Sequence, residues 1–99
     1  MNIFALSRCP MQSAWWLDDI RKNKMILESA QMLSTAVRWL DPDTTLPVYK
    51  LAYINHPCSI WARKSRDNFK WLLSHMAHLY LQKGGNHKSG DLIPHLDEY

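Results

Sequence analysis

The chain has 99 residues, a formal net charge of +3 at pH 7 and two cysteines. That length gives one domain with one modest core, burying about two-thirds of its unfolded surface at best. Apolar content is ordinary, five tryptophans are many for the length, and the mild positive charge favours nucleic acid or an acidic protein partner without naming either.

No stretch approaches the ~20 apolar residues of a membrane span, so no membrane partner is expected. Residues 1–7 have neither the charged region nor the apolar run of a secretory signal. The expected setting is cytoplasmic and reducing, with Cys9 and Cys58 as inert small apolar residues.

In chain order, residues 1–9 read as an N-terminal arm, apolar from Ile3 to Leu6 and either a strand or an extended segment. Pro10 suits a first helical position. Residues 10–40 read as helical, as one helix or as two broken between Asp18 and Asn23, and Asp41-Pro42-Asp43 ends them because the residue before proline disfavours the helical region. Residues 41–57 read as a loop carrying Pro42, Pro47 and Pro57. Its stretch Val48–Ile54 has β-type residues without a pairing partner and reads as extended coil. Pro57 starts a short helix over Cys58–Lys64, and Ser65 is a good N-cap for the next. Phe69, Leu72, Leu73, Met76, Leu79 and Tyr80 give that helix an apolar face. Residues 58–83 are thus helical, Gly84-Gly85 stops them, and 84–99 form a tail with a short turn or helix before Pro94. The expected architecture is all-α: a single domain over 1–99, with two to three main helices and a long proline-containing ordered loop.

Three groups of residues stand out. The first is a polar stripe. Lys24, Glu28, Gln31, Thr35 and Arg38 recur at spacings of four, three, four and three, which aligns them on one side of a helix. Ile26, Ala30, Leu33, Val37 and Leu40 occupy the other side and read as core. Glu28 is the candidate chemical residue: a carboxylate here serves as general acid or base or stabilises a developing cation. The plain alternative is a surface Glu paired with Lys24.

The second group is Asn55-His56-Pro57. An imidazole can shuttle protons near neutral pH, so His56 is a candidate, and Asn55 could hydrogen-bond a substrate; equally, Asn or His caps a helix that Pro57 starts. A zinc site would need His56 and Cys58 with His75, His78 or His87, but the chain has no Cys-x-x-Cys and no His-Glu-x-x-His, so neither metal nor cofactor is expected.

The third group interleaves cations with aromatic rings: Trp61, Arg63, Lys64, Arg66, Phe69, Lys70 and Trp71. Arg21, Lys22 and Lys24 add a second basic cluster. Cations neutralise phosphates and aromatic rings stack on exposed bases; the alternative is a core with a solvated rim, and Trp61 is expected in the core. Adjacent Trp15 and Trp16 cannot both face one core seam, so one is expected at the surface.

The order Lys24, Glu28, Gln31, then Asn55-His56-Pro57-Cys58 with Trp61, then Ser65, Asn68 and Trp71, then His87-Lys88-Ser89, resembles a group of small uncharacterised bacteriophage proteins over most of residues 1–89. More distantly, the layout resembles the phage pyrimidine-dimer DNA glycosylases of the endonuclease V type. That resemblance implies a compact all-α enzyme that flips a base and uses an N-terminal α-amine as nucleophile, with Glu28 at the position of the essential Glu, Asp19 nine residues before it and Gly84 after the last long helix. Residue 2 is Asn where the family needs a small residue, and Arg21 stands where related chains more often carry His, which fits a diverged, non-catalytic member.

Two functions are therefore expected. One is a phage-type DNA-interacting protein, glycosylase-like or diverged from catalysis, with Glu28 and His56 as chemical residues, Gln31, Asn55 and Asn68 lining the pocket, and Arg21, Lys22, Lys24, Arg63, Lys64, Arg66 and Lys70 meeting phosphates. The other is a non-enzymatic phage protein that binds a host protein, such as a defence component, in the cytoplasm of the infected bacterium. An enzyme acting on a nucleotide through Glu28 and His56 ranks last, because no Gly-rich phosphate loop is present.

Overall fold

Between Asp19 and Leu40 the sequence holds no Gly or Pro. In the computed structural model, which describes residues 19–85 and 87–99, this stretch is one unbroken helix, α1 (Asp19–Leu40). No break occurs from Asp19 onward. The arm at 1–9, the helical start at Pro10, Cys9, Trp15 and Trp16 lie outside the described residues. The helix stops before Asp41-Pro42 as expected, with the Asp41 amide donating back to the Val37 carbonyl at 2.8 Å.

Two shorter helices pack against α1: α2 (Pro57–Lys64) and α3 (Arg66–Gln82). Pro57 takes the first helical position of α2, where a missing N–H costs nothing. The apolar face expected for α3 is observed: Phe69, Leu72, Leu73, Met76 and Leu79 are buried and Tyr80 is half-buried. They meet Met25, Ile26, Met32, Leu33 and Val37 of α1 in one core. The helix ends where Gly84 and Gly85 both take positive φ, and their amides return to the carbonyls of Leu81 and Tyr80 at 2.9 Å. Among the described residues there is no strand, so the all-α expectation holds.

The division of α1 into a polar and an apolar side holds at eight of its ten positions: Ile26, Ala30, Leu33 and Val37 are buried, Lys24 is exposed, and Glu28, Gln31 and Arg38 are half-buried. Every residue from 32 to 37 is buried, so the middle of the helix has no solvated face. Thr35, placed on the polar stripe, is fully buried, while Leu40, placed in the core, is 53% exposed. The reason is position: α1 is packed against α2, α3, and the segments that follow them, and Leu40 is its last residue. Trp61 is a second correction. It lies at 36% exposure instead of in the core, because its neighbours Ser59 and Ala62 take the buried side of α2. Its ring meets Trp71 edge-on, 6.0 Å between centroids.

Residues 87–99 are structured. The short turn expected before Pro94 is present as a 3-10 helix (Lys88–Leu92), and it runs into a further helix, α4 (Ile93–Glu98), with Pro94 in its first turn. Leu92 and Leu96, four apart, reach the core. The Cβ that any other residue would place at Gly90 would lie 2.2 Å from the Tyr80 ring, so a substitution there forces that ring to move. His87 caps the 3-10 helix: its Nδ1 accepts from the Ser89 amide at 3.0 Å. Burial pushes the His87 pKa below its ordinary value, with Lys88 and Lys83 adding to the effect and a hydrogen bond with the Asn23 backbone opposing it.

Candidate functional site

A single residue, Ser65, joins α2 to α3. Its backbone is extended (φ −150°, ψ 157°), which ends α2, and its Oγ accepts from the Asn68 amide at 3.1 Å, which caps α3. Asn68 in turn donates from Nδ2 to the Trp61 carbonyl at 2.9 Å, satisfying an acceptor near the end of α2. The two helices thus meet in a stiff elbow. Arg63 and Lys64 stand in the last turn of α2 and Arg66 is the first residue of α3.

These three cations line one cleft of about 380 Å³, together with Leu40, Phe69 and Tyr99. Among the described residues no Asp or Glu side chain lines it. The Tyr99 ring packs on Phe69 with 5.8 Å between centroids, and Arg66 Nη2 lies 3.5 Å from the Tyr99 carbonyl oxygen. Lys64 and Arg66 are exposed, and Lys70, one helical turn beyond Arg66, is exposed as well. Such an arrangement concentrates positive charge over a partly apolar floor, which suits an anionic group.

Arg63 has a second duty. Its Nη1 donates to the Ile54 carbonyl at 2.6 Å, and its Cζ lies 4.4 Å from the centroid of Trp39, a ring 51% exposed at the end of α1. Of the five guanidinium N–H groups, one is engaged by that carbonyl, leaving others for a ligand.

The loop before α2 is held at further points. Arg38 donates from Nε to the Tyr49 carbonyl and from Nη2 to the Val48 carbonyl, both at 2.6 Å. Thr35 Oγ1 donates to the Ala52 carbonyl at 3.0 Å and accepts from the Ala52 amide at 3.1 Å. Tyr49 Oη and Ser89 Oγ lie 2.9 Å apart, tying the loop to the 3-10 helix. The lower half of the polar stripe is therefore a clamp on backbone, not part of a substrate site. Within this loop Tyr53 has φ +53°, the one non-glycine residue at positive φ among those described, and its side chain is 62% exposed.

The remaining sequence-predicted residues are scattered. Lys24 is exposed on α1, whereas Glu28 and Gln31 are half-buried. Lys22 is buried at 8% exposure, which corrects its assignment to an open phosphate-binding face. Arg21 lies on α1, and its side chain falls outside the described residues. Asn55 is exposed in the turn before α2. His56 caps α2: Nδ1 accepts from the Cys58 amide at 3.1 Å, so that nitrogen carries the lone pair and only Nε2 is left for other work. Neither Glu28 nor His56 lines the cleft. His75 is fully buried, stacked on Trp71 with 5.1 Å between centroids. Among the described residues no group of three or more His, Cys, Asp or Glu side chains is placed to hold a metal ion. No described helix is long and apolar enough to cross a membrane.

Of the basic residues expected to act together, the structure joins Arg63, Lys64 and Arg66. Sequence reasoning missed Leu40, Tyr99 and Trp39 as their neighbours. Only the positions of Leu40 and Trp39 at the very end of a helix signalled that their side chains lie beyond the packed region. Comparisons with protein-family models, with characterised proteins and with solved structures find no match to this chain.

Proposed function

We propose that this chain binds the sugar–phosphate backbone of a nucleic acid at the elbow between α2 and α3. The observation that supports this is the convergence of Arg63, Lys64 and Arg66 on one cleft whose lining, among the described residues, holds no acidic side chain. A phosphate there replaces its counterions with fixed cations, and counterion release drives association. Lys70 extends the basic surface along α3.

The reading is one of binding, not of chemistry at this cleft. Glu28 and His56 are not among the residues that line it, and His56 has a sufficient role as a helix cap. Within the phage-type resemblance, this favours a DNA-interacting protein diverged from glycosylase activity. Fluorescence anisotropy with labelled DNA tests it. Affinity should fall with salt on a log–log slope of roughly −2 to −3, the value for about three phosphate contacts. Glu28→Gln should bind as the parent does. A salt-independent affinity, or none at low salt, rejects the proposal.

One observation favours a second reading, a host protein partner: Trp39, Leu40, Leu51, Tyr53 and Ile60 are large apolar side chains left exposed. Capture of one stoichiometric protein from nuclease-treated bacterial lysate, lost in Ile60→Asp, supports it.

A further inference from the structure

We infer that the nucleic acid held at the elbow is single-stranded, with unpaired bases stacked on Trp39 and Tyr53. This rests on the phosphate-binding reading above and names the form of nucleic acid that the same site takes.

Three features carry the inference. First, the cation and the ring form one unit. Arg63 lines the cleft and also lies against Trp39, 4.4 Å from its centroid. Leu40, the residue after Trp39, lines the cleft too. A phosphate at the cleft therefore sits next to an aromatic side chain that is half accessible.

Second, the same guanidinium fixes the loop that bears Tyr53. Arg63 holds the Ile54 carbonyl, Thr35 holds both polar atoms of Ala52, and the His56 amide donates to the Tyr53 carbonyl at 3.0 Å. Tyr53 is thereby pinned from both sides in a left-handed conformation that an aromatic residue does not choose. The fold keeps this residue in place, and its ring points mainly to solvent at 62% exposure.

Third, cations accompany the exposed rings: Arg63 lies against Trp39, Lys50 is exposed three residues before Tyr53, and Lys64 and Arg66 are exposed at the cleft that Arg63 lines. Asp41, Asp43 and Asp67 are exposed nearby but are not among the residues that line the cleft, and a cleft lined by cations beside exposed rings complements a polyanion. Duplex DNA hides its base faces, so it would use the cations and leave the rings idle. A single strand uses both: phosphates on the guanidinium and ammonium groups, and base faces on the rings.

The test uses the full chain with a labelled oligothymidylate of about 12 nucleotides, within the usual site size, and a duplex of the same length. The single strand should bind about tenfold tighter than the duplex at equal salt and should quench tryptophan emission. Trp39→Leu should weaken single-strand binding by about tenfold and duplex binding by much less, the folded fraction being checked by thermal melting. Tyr53→Gly relieves the left-handed conformation, so it should fold at least as well as the parent while weakening the single strand by roughly fivefold. Duplex binding as tight as single-strand binding, or a Trp39→Leu chain with undiminished single-strand affinity, overturns the inference. In that case salt-dependent duplex binding lost in Lys64→Glu/Arg66→Glu still supports phosphate contact at the elbow. Binding of neither nucleic acid overturns both proposals, and a stoichiometric protein partner then takes their place.

Discussion

Two regions of this small fold use cations in opposite ways. In the loop from 46 to 56, positive charge faces inward: Arg38 and Arg63 reach the carbonyls of Val48, Tyr49 and Ile54 and substitute for the missing partners of a strand. At the elbow, Lys64 and Arg66 are exposed around an open cleft. A run of irregular backbone has carbonyls to satisfy, so an arginine beside it becomes part of the structure. A tight junction between two capped helices satisfies its own polar groups through Ser65 and Asn68, so the cations there stay at the surface, Arg66 making one long contact to the Tyr99 backbone oxygen. Arg63 belongs to both regions, one N–H on the loop and the rest of the guanidinium at the cleft and Trp39.

The contrast breaks most visibly at Arg38. Arg38→Ala should cost about 3 kcal/mol in urea unfolding, because two carbonyls lose charged donors at once. Arg38→Lys should recover only part of it, since an ammonium cannot span both oxygens as the guanidinium fork does. Nucleic-acid affinity measured on the folded protein should hardly change. The reverse pattern is expected at the elbow. Lys64→Glu/Arg66→Glu should reduce the salt slope of DNA binding by about two and leave the urea midpoint where it was. If that double variant unfolds easily instead, the elbow cations belong with Arg38 and the distinction fails. Thr35→Val is a milder probe of the loop. It keeps the shape but strips both partners from Ala52, for a loss of about 1–2 kcal/mol.

The smallest effect concerns pH at the other clamp, His87. Its cap requires an unprotonated Nδ1. The folded chain lowers its pKa, so the unfolded chain binds the proton first as pH falls. The contribution is complete above the unfolded value of about 6.5 and is lost as pH drops through the folded value. Melting temperature should decline on acidification below about pH 6.5. The decline should be shallower in His87→Asn, whose side chain caps without titrating.

How much of this could be read beforehand depends on the range over which each interaction acts. The start of α2 at Pro57, the cap at Ser65 and the stop at Gly84-Gly85 follow from backbone chemistry within a few residues, and each is where the sequence placed it. The face of α3 follows from its period. The cations around Ser65 were legible because they are consecutive. The duties of Thr35 and Arg38 were not, since their partners lie 10–17 residues away across a loop with no periodic signal. A stripe of polar residues at helical spacing looks the same whether it meets water or another segment's backbone. Leu92 and Leu96 were passed over for a related reason: two apolar residues make too short a pattern to separate a docked turn from a tail.

The complete burial of residues 32–37 at the heart of α1 also gives the molecule an internal gauge of its own opening. Amides wrapped on every side exchange with solvent deuterium only when the whole fold comes apart. Their protection factors therefore report the global free energy, whereas the amides of Tyr53 and the elbow should report local fluctuations far smaller than that.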